Sequence, residues 1–268
     1  MSLLPTIGAV DQDTGFYNGV ATQSLRFDDG SSAFLSRTPS SAGNRKTWTW
    51  SGWLKRGVVG GSHGLIESTS ISFGLYLDKL FITVAGVGNG LSTAVFRDSS
   101  AWYHVLIAFD TTQASSADRV KFYVNGTQHS LDNTRVSQNT DYNINNTTLQ
   151  RIGVTGVSGS TTYIDGYLSE VNFIDGSALA PTSFGETKNG VWIPIKYTGS
   201  YGTNGFRLQF DQTGVGTAST STIGADTSGN TNHFTSSGIV ASDCNMPDSP
   251  ENNFATFNSV DPSNPTFS

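Results

Sequence analysis

Apolar and polar residues alternate along three stretches in the middle of the chain: Trp102–Asp110, Val120–Val124 and Tyr163–Asp175. A period of two sends successive side chains to opposite faces, so each stretch predicts a β-strand and not a helix. Asn125-Gly126 closes the second stretch and supplies the two positive-φ residues that a type I′ hairpin turn requires. Asp165-Gly166 and Asp175-Gly176 punctuate the third. Strands joined by tight turns predict an antiparallel sheet.

The same texture extends towards the N-terminus. Ser24–Phe27, a turn at Asp28–Gly30 and Ala33–Ser36 read as one strand pair. In Thr47–Lys55, Trp48, Trp50 and Leu54 fall on one face, and Thr49, Ser51, Trp53 and Lys55 on the other. Tryptophan on both faces predicts a strand covered on two sides. Ser72–Leu77 and Leu80–Val84 flank Asp78-Lys79, which reads as a hairpin turn. Trp50 and Phe122 are core candidates, and no segment carries an amphipathic helical period. The expected fold is therefore all-β, an antiparallel β-sandwich of jelly-roll type over residues 21–178. Residues 1–20 read as an extended N-terminal arm with Phe16 and Tyr17. Residues 179–268 read as a C-terminal extension. Within it, Tyr201–Phe210 is a further strand, and 213–268 is a polar tract with Phe234, Phe254, Phe257 and Phe267 as anchors. Such arms are expected to cover the sandwich or a neighbouring subunit.

Composition narrows the function. Hydrophobic residues make up 36% of the 268 residues and charged residues 13%, against about a quarter charged in ordinary soluble domains. The net charge is -6, and the densest basic cluster is Arg45-Lys46. No phosphate-neutralising patch is visible, so nucleic acid is not an expected partner. No apolar run reaches bilayer length and the N-terminus lacks a signal-peptide pattern, so neither membrane insertion nor secretion is expected. Cys244 is the one cysteine, which precludes an intrachain disulfide and fits folding in a reducing cytosol. Asn125, Asn145 and Asn146 begin glycosylation sequons that carry little weight without secretion.

Candidate chemistry is sparse. Glycoside hydrolysis needs two facing carboxylates. Asp165 and Glu170 are five apart and would point to opposite faces of a regular strand, so Glu170 is expected to cap or pair within the sandwich. No catalytic residue is assigned, and the chain is not expected to be an enzyme. His63, His104, His129 and His233 have no ligand spacing; His104 reads as a hydrogen-bonded core or half-core residue. No nucleophile elbow occurs, and Asp243 and Asn245 beside Cys244 would not activate its thiol. Asp226, Ser228, Asn230 and Asn232 place oxygen side chains at alternate positions around Gly229. They form a candidate calcium loop, or else a run of Asx turns, and calcium is the one cofactor considered. Trp53, Tyr76, Tyr103, Tyr163 and Tyr167 are aromatic candidates for stacking on sugar rings, with core or interface packing as the alternative.

The wording of these segments adds a resemblance. Trp102-Tyr-His-Val, Tyr123-Val-Asn-Gly and Ile164-Asp-Gly-Tyr-Leu-Ser-Glu-Val resemble the laminin-G-like, concanavalin-A-like jelly-roll family. With them stand Asn44–Lys55, Trp192-Ile-Pro with Tyr201–Phe210, Gly224–Phe234 and Asp248–Thr256. In this order the set resembles laminin-G-like virion proteins of tailed bacteriophages, especially marine and cyanobacterial ones, from about Ser24 to Thr256. That resemblance implies a non-enzymatic structural protein of the virion, in tail, fibre or head-surface appendages, assembled in the host cytoplasm. The implied partners are other virion proteins and further copies of the chain, a trimer if it forms a fibre. A host-surface glycan adhesin is the alternative, and a polysaccharide depolymerase a more distant one.

Overall fold

The structure, a computed structural model, describes residues 15–85, 87–156 and 161–254. The strands in chain order are β1 (Leu25–Phe27), β2 (Phe34–Arg37), β3 (Thr47–Arg56), β4 (Ser62–Ser68), β5 (Ile71–Tyr76) and β6 (Lys79–Val84). There follow β7 (Gly88–Leu91), β8 (Trp102–Asp110), β9 (Val120–Val124), β10 (Thr127–His129), β11 (Gln150–Ile152) and β12 (Val154–Thr155). The last are β13 (Thr162–Tyr163), β14 (Gly166–Asp175), β15 (Gly185–Lys188), β16 (Val191–Pro194), β17 (Phe206–Leu208) and β18 (Thr235–Ser237). Short 3-10 turns interrupt them, and no α-helix occurs among the described residues.

Two antiparallel sheets form a sandwich. The first runs β1-β14-β3-β8-β9-β10, with β17 also on β14; the second runs β18-β2-β11-β4-β5-β6-β7. β1 pairs with Gly166–Leu168 and β17 with Val171–Phe173, so both lie along one edge of β14. β18 pairs with β2 at the edge of the second sheet. Residues beyond 178 thus add one strand to each sheet and cover backbone groups that a bare edge would expose.

Between the sheets, Trp48 stacks on Phe109 at 4.6 Å and meets Phe73 edge-on at 5.3 Å. Trp50 and Phe122 are fully buried in the same core. Edge-to-face and offset pairs suit the ring quadrupole and add to the burial energy.

The turns follow local chemistry. Asn125 and Gly126 have φ of 48° and 80°, the type I′ signature. In the β5–β6 hairpin the turn residues are Leu77 and Asp78, at φ 47° and 68°, and not Asp78-Lys79. Lys79 instead pairs with Tyr76 in the ladder. The Asp78 carboxylate holds this turn by accepting from Arg56, Arg97 and the Gly60 amide. A Cβ on Gly126 would lie 2.7 Å from the Trp192 ring, whereas one on Gly190, at φ 81°, would meet open space. Both are positive-φ positions, so Gly190→Ala is expected to cost more than about 0.4–1 kcal/mol from backbone strain alone. Gly126→Ala should cost measurably more. Equal urea midpoints for the two variants would show that Trp192 does not pack on this turn.

Candidate functional site

The two outer faces of the sandwich differ. On the first sheet, β15 and β16 fold back over β3 and β8. His104 lies between the Trp53 and Trp192 rings, with centroids at 5.0 and 5.9 Å. Trp192 Nε1 donates to His104 Nδ1 at 3.1 Å, so Nε2 carries the ring hydrogen and donates to Ser51 Oγ at 2.8 Å. Leu106, Ala108, Ile174 and Phe184 form a small apolar cluster here, joined by Tyr197 and Tyr201. This cover accounts for the tryptophans on both faces of β3. It also removes Trp53 from the sugar-stacking candidates, since that side chain is buried.

Glu170 belongs to the covered face. β14 carries a bulge between Ser169 and Asn172, and Glu170 sits in it at φ 46°. The bulge breaks the alternation on which opposite faces for Asp165 and Glu170 were expected, because an inserted residue shifts the parity downstream. Asp165 precedes β14, and its carbonyl accepts from the Gly57 amide. The Glu170 carboxylate accepts Arg207 Nε at 2.6 Å and Nη2 at 3.1 Å. Asn172 Nδ2 donates to the same carboxylate, and Tyr201 donates its hydroxyl to Asn172 Oδ1. Burial pushes the Glu170 carboxyl up, and Arg207 pulls it back down.

The second sheet carries a different feature. Cross-strand partners place Thr235, Ser36, Arg151, Glu67, Ser72, Thr83 and Asn89 directly opposite one another in sequence across all seven strands. Directly paired residues project to the same face. These alternate with core residues such as Leu35, Ile152, Ile66, Phe73 and Ile82, so the polar row faces outward. At an interstrand spacing near 4.8 Å, the four steps from Arg151 to Asn89 span about 19 Å.

The row is hydrogen-bonded. Arg151 forms an ion pair with Glu67, whose other oxygen accepts the Gly156 amide at 2.7 Å. Thr155 donates to Ser72 Oγ at 2.9 Å, and Thr83 to Asn89 Oδ1 at 2.6 Å. Burial raises the Glu67 carboxyl, opposed by Gly156 and Arg151. A shallow cleft bounded by Glu67, Ser68, Thr69, Leu149, Arg151 and Gly156 lies at one end. A second, bounded by Ser62, Tyr76, Phe81, Thr83 and Asn89, lies at the other. Tyr76 is exposed at 39%, and Tyr163 packs beside Phe34, with centroids 6.2 Å apart. Glu67, Ser72 and Thr83 in the middle of the row are buried. At its two ends, accessible Arg151 and Asn89 beside the Tyr163 and Tyr76 rings are polar groups and aromatic faces that suit a polyhydroxylated ligand. Tyr103 and Tyr167 sit elsewhere: Tyr103 packs on Phe96, and Tyr167 lies beside Trp102. Sequence patterning did not pick out the row, because each member is an ordinary outward residue of its own strand and only the register aligns them.

The candidate calcium residues come together around Gly229. Asp226 Oδ1 accepts the amides of Arg207 and Ser228, and Oδ2 accepts Asn232 N and Ser228 Oγ. Asn230 and Asn232 turn their amide donors to the carbonyls of Gly202, Thr203 and Gly205. The Asp226 carboxylate is thus engaged by the loop donors Ser228 and Asn232, as in Asx turns, and by the Arg207 amide of β17. Of the arms, residues 1–14, Phe257 and Phe267 lie outside the described residues. Phe234 is buried and Phe254 half-exposed. Glu251 receives the amides of Gly19, Val20 and Ala21, which ties the two ends of the described chain together. Cys244 is buried, and burial pushes its thiol up to about 11.

A sandwich of two antiparallel sheets, its outer faces partly covered by β15–β16 on one side and by β12–β13 on the other, is a lectin-like jelly roll. The family profile of the concanavalin A-like lectin/glucanases superfamily, of the laminin-G kind, matches residues 28–183, and the chain belongs to that superfamily. Among solved structures it is similar to a Bacteroides ovatus protein named for carbohydrate binding. That match has 15% identity and a TM-score of 0.53, and covers 81% of this chain and 58% of the other, so this chain spans somewhat more than half of that protein's length. The SAP-like pentraxin of Limulus polyphemus matches at 15% identity and a TM-score of 0.43, over 59% of this chain and 76% of its own. Domains LG4-5 of the mouse laminin alpha1 chain match at 13% and 0.42, over 68% and 48%. A search of curated proteins found no match.

Proposed function

We propose that the chain is a non-enzymatic carbohydrate-binding module, carried as a structural component on the particle of a tailed bacteriophage. The observation that carries the binding half is the pair of clefts at the two ends of the outer polar row of the second sheet, where Arg151 and Asn89 stay accessible while Glu67 and Ser72 between them are buried beneath Thr155 and Gly156. Family membership and the carbohydrate-binding name of the Bacteroides ovatus relative support it; a shared fold alone would not assign a function. The particle half rests on the ordered motifs from Ser24 to Thr256 and their resemblance to phage virion proteins. In this reading the arms make the contacts to other virion proteins and to further copies of the chain. The non-enzymatic reading is supported by three carboxylates already committed to cations: Glu170 to Arg207, Glu67 to Arg151, and Asp78 to Arg56 and Arg97.

A glycan array probed with the purified chain is expected to give binding to a defined subset of bacterial surface glycans. Tyr76→Ala should weaken the strongest hit about tenfold, equivalent to about 1.4 kcal/mol. Binding to no glycan would overturn the carbohydrate reading. Antibody labelling of phage particles tests the other half, and the same array incubated for released reducing ends tests for hydrolysis.

A further inference from the structure

Away from the grooved face, the end of the described chain is fastened to β3 through a set of groups with the chemistry of amide exchange. The Lys55 side chain is fully buried. Its Nζ donates to Asp248 Oδ2 at 2.8 Å, to Asn253 Oδ1 at 2.8 Å and to the Phe254 carbonyl at 2.5 Å. Each partner is itself held from the far side. Asp248 Oδ1 accepts Trp102 Nε1 at 3.1 Å and the Phe254 amide at 3.3 Å. Asn253 Nδ2 donates to the Ser100 carbonyl at 3.0 Å. A buried amine and a buried carboxylate therefore meet a carboxamide that reaches them from the surface.

An ion pair alone would suffice to anchor a strap. The carboxamide adds an electrophile. The Asn253 carbonyl carbon lies one C=O bond, about 1.2 Å, beyond the oxygen that Nζ already touches. A small rotation of that amide brings nitrogen and carbon towards the ~3–3.5 Å of a near-attack pair. Proton transfer from the ammonium to Asp248 runs along the 2.8 Å contact. It leaves the neutral amine, which is the nucleophilic form.

We propose that Lys55 and Asn253 join through an intramolecular isopeptide bond, with Asp248 as the group that moves the proton. The Lys55 Nζ lone pair attacks Cγ of Asn253 and forms the new C–N bond. Asp248, which holds the ammonium's first proton, delivers it to Nδ2 and takes up the second proton that Nζ loses as the C–N bond forms. The Cγ–Nδ2 bond breaks and ammonia leaves. One primary amine and one carboxamide become one secondary amide plus ammonia, with no oxidation and no co-reactant. Trp102 and the Phe254 amide hold Oδ1 of Asp248, which leaves Oδ2 turned to the reacting nitrogen. The bond would tie together positions 198 residues apart, and would secure the C-terminal strap to the centre of the first sheet.

Mass spectrometry of the denatured full chain decides this without any variant. The expected mass lies below that of the linear chain by one ammonia. A tryptic digest should contain a branched peptide joining the Lys55 and Asn253 segments, with no cleavage after Lys55. Asn253→Ala and Asp248→Ala should both return a linear chain, the second with lysine and asparagine still present. A wild-type mass equal to that of the linear chain overturns the proposal. So does loss of ammonia with an unbranched Lys55 peptide, which would locate the change at a succinimide. Loss of water with a Lys55–Asp248 branch overturns the role given to Asn253.

Discussion

Stability is expected to fall as the pH is lowered from 7 towards 5, because two histidines are buried as neutral rings. His104 accepts at Nδ1 from Trp192 and donates from Nε2 to Ser51. A proton added at Nδ1 would set two N–H groups against each other. Burial depresses this ring to about 3. His63 bonds through Nε2 to the Gly60 carbonyl, while its buried Nδ1 has no acceptor. Burial, then the nearby Arg56 charge, depresses it to about 4. Both folded values lie below the unfolded value near 6.5, so the unfolded chain binds more protons through the interval between. The stabilising contribution is complete above about 6.5 and declines as the pH falls towards those folded values, by about 1.4 kcal/mol per unit for each ring. Glu67 and Glu170 act in the opposite sense, since burial raises them and the folded state takes up their protons first. The decisive comparison is therefore between slopes. Urea unfolding of His104→Gln should give a lower stability at pH 7 and a pH dependence shallower by about 1.4 kcal/mol per unit. Parallel slopes for wild type and variant would mean that His104 is not buried as drawn.

The strands were legible because most carry a clean period of two. Trp102–Asp110 and Val120–Val124 match β8 and β9, and Asn125-Gly126 adopts the turn its chemistry demands. The two-sided cover of β3 was also readable, from Trp48 and Trp50 against Trp53. What covers it was not, because Trp192 lies 88 residues from His104 and no local pattern links them. The Tyr201–Phe210 segment reads as a long strand, yet only Phe206–Leu208 pairs. Gly205 packs so closely on the Tyr201 carbonyl that the chain bends there instead of extending. The alternation rule failed for Glu170, since nothing in Ser169–Asn172 announces a bulge. The grooved face was least legible. Ser36, Glu67, Ser72, Thr83, Asn89 and Arg151 come from six strands, and single-strand patterning carries no register. The Lys55 cluster was hidden in the same way: its partners lie in a polar tail whose composition suggests only a covering arm.

The bulge that defeated the alternation rule also creates the ion pair whose loss should be most damaging. Glu170 is 3% exposed, and Arg207 is buried beside it. Its two carboxylate oxygens face Nε and Nη2 of Arg207 in a fork, a geometry that lysine cannot reproduce. Arg207 belongs to β17, whose neighbours Phe206 and Leu208 point into the core. Arg207 therefore projects to the covered outer face, where its side chain is 6% exposed. Glu170→Ala is expected to cost about 3–5 kcal/mol, mostly from the buried cation left unpaired. Such a loss is a large fraction of the stability of an ordinary domain. The double replacement of Glu170 and Arg207 by methionine should recover most of it, because it removes the charge together with its partner. Thermal and urea unfolding of Glu170→Met, Arg207→Met and the double variant complete a mutant cycle. Strictly additive losses would show that the pair does not couple, and that β17 is held to β14 by its backbone bonds and by Phe206 alone. A coupled result would identify the bulge as the device that turns a glutamate to the covered side of β14 and fixes the C-terminal extension to the sandwich.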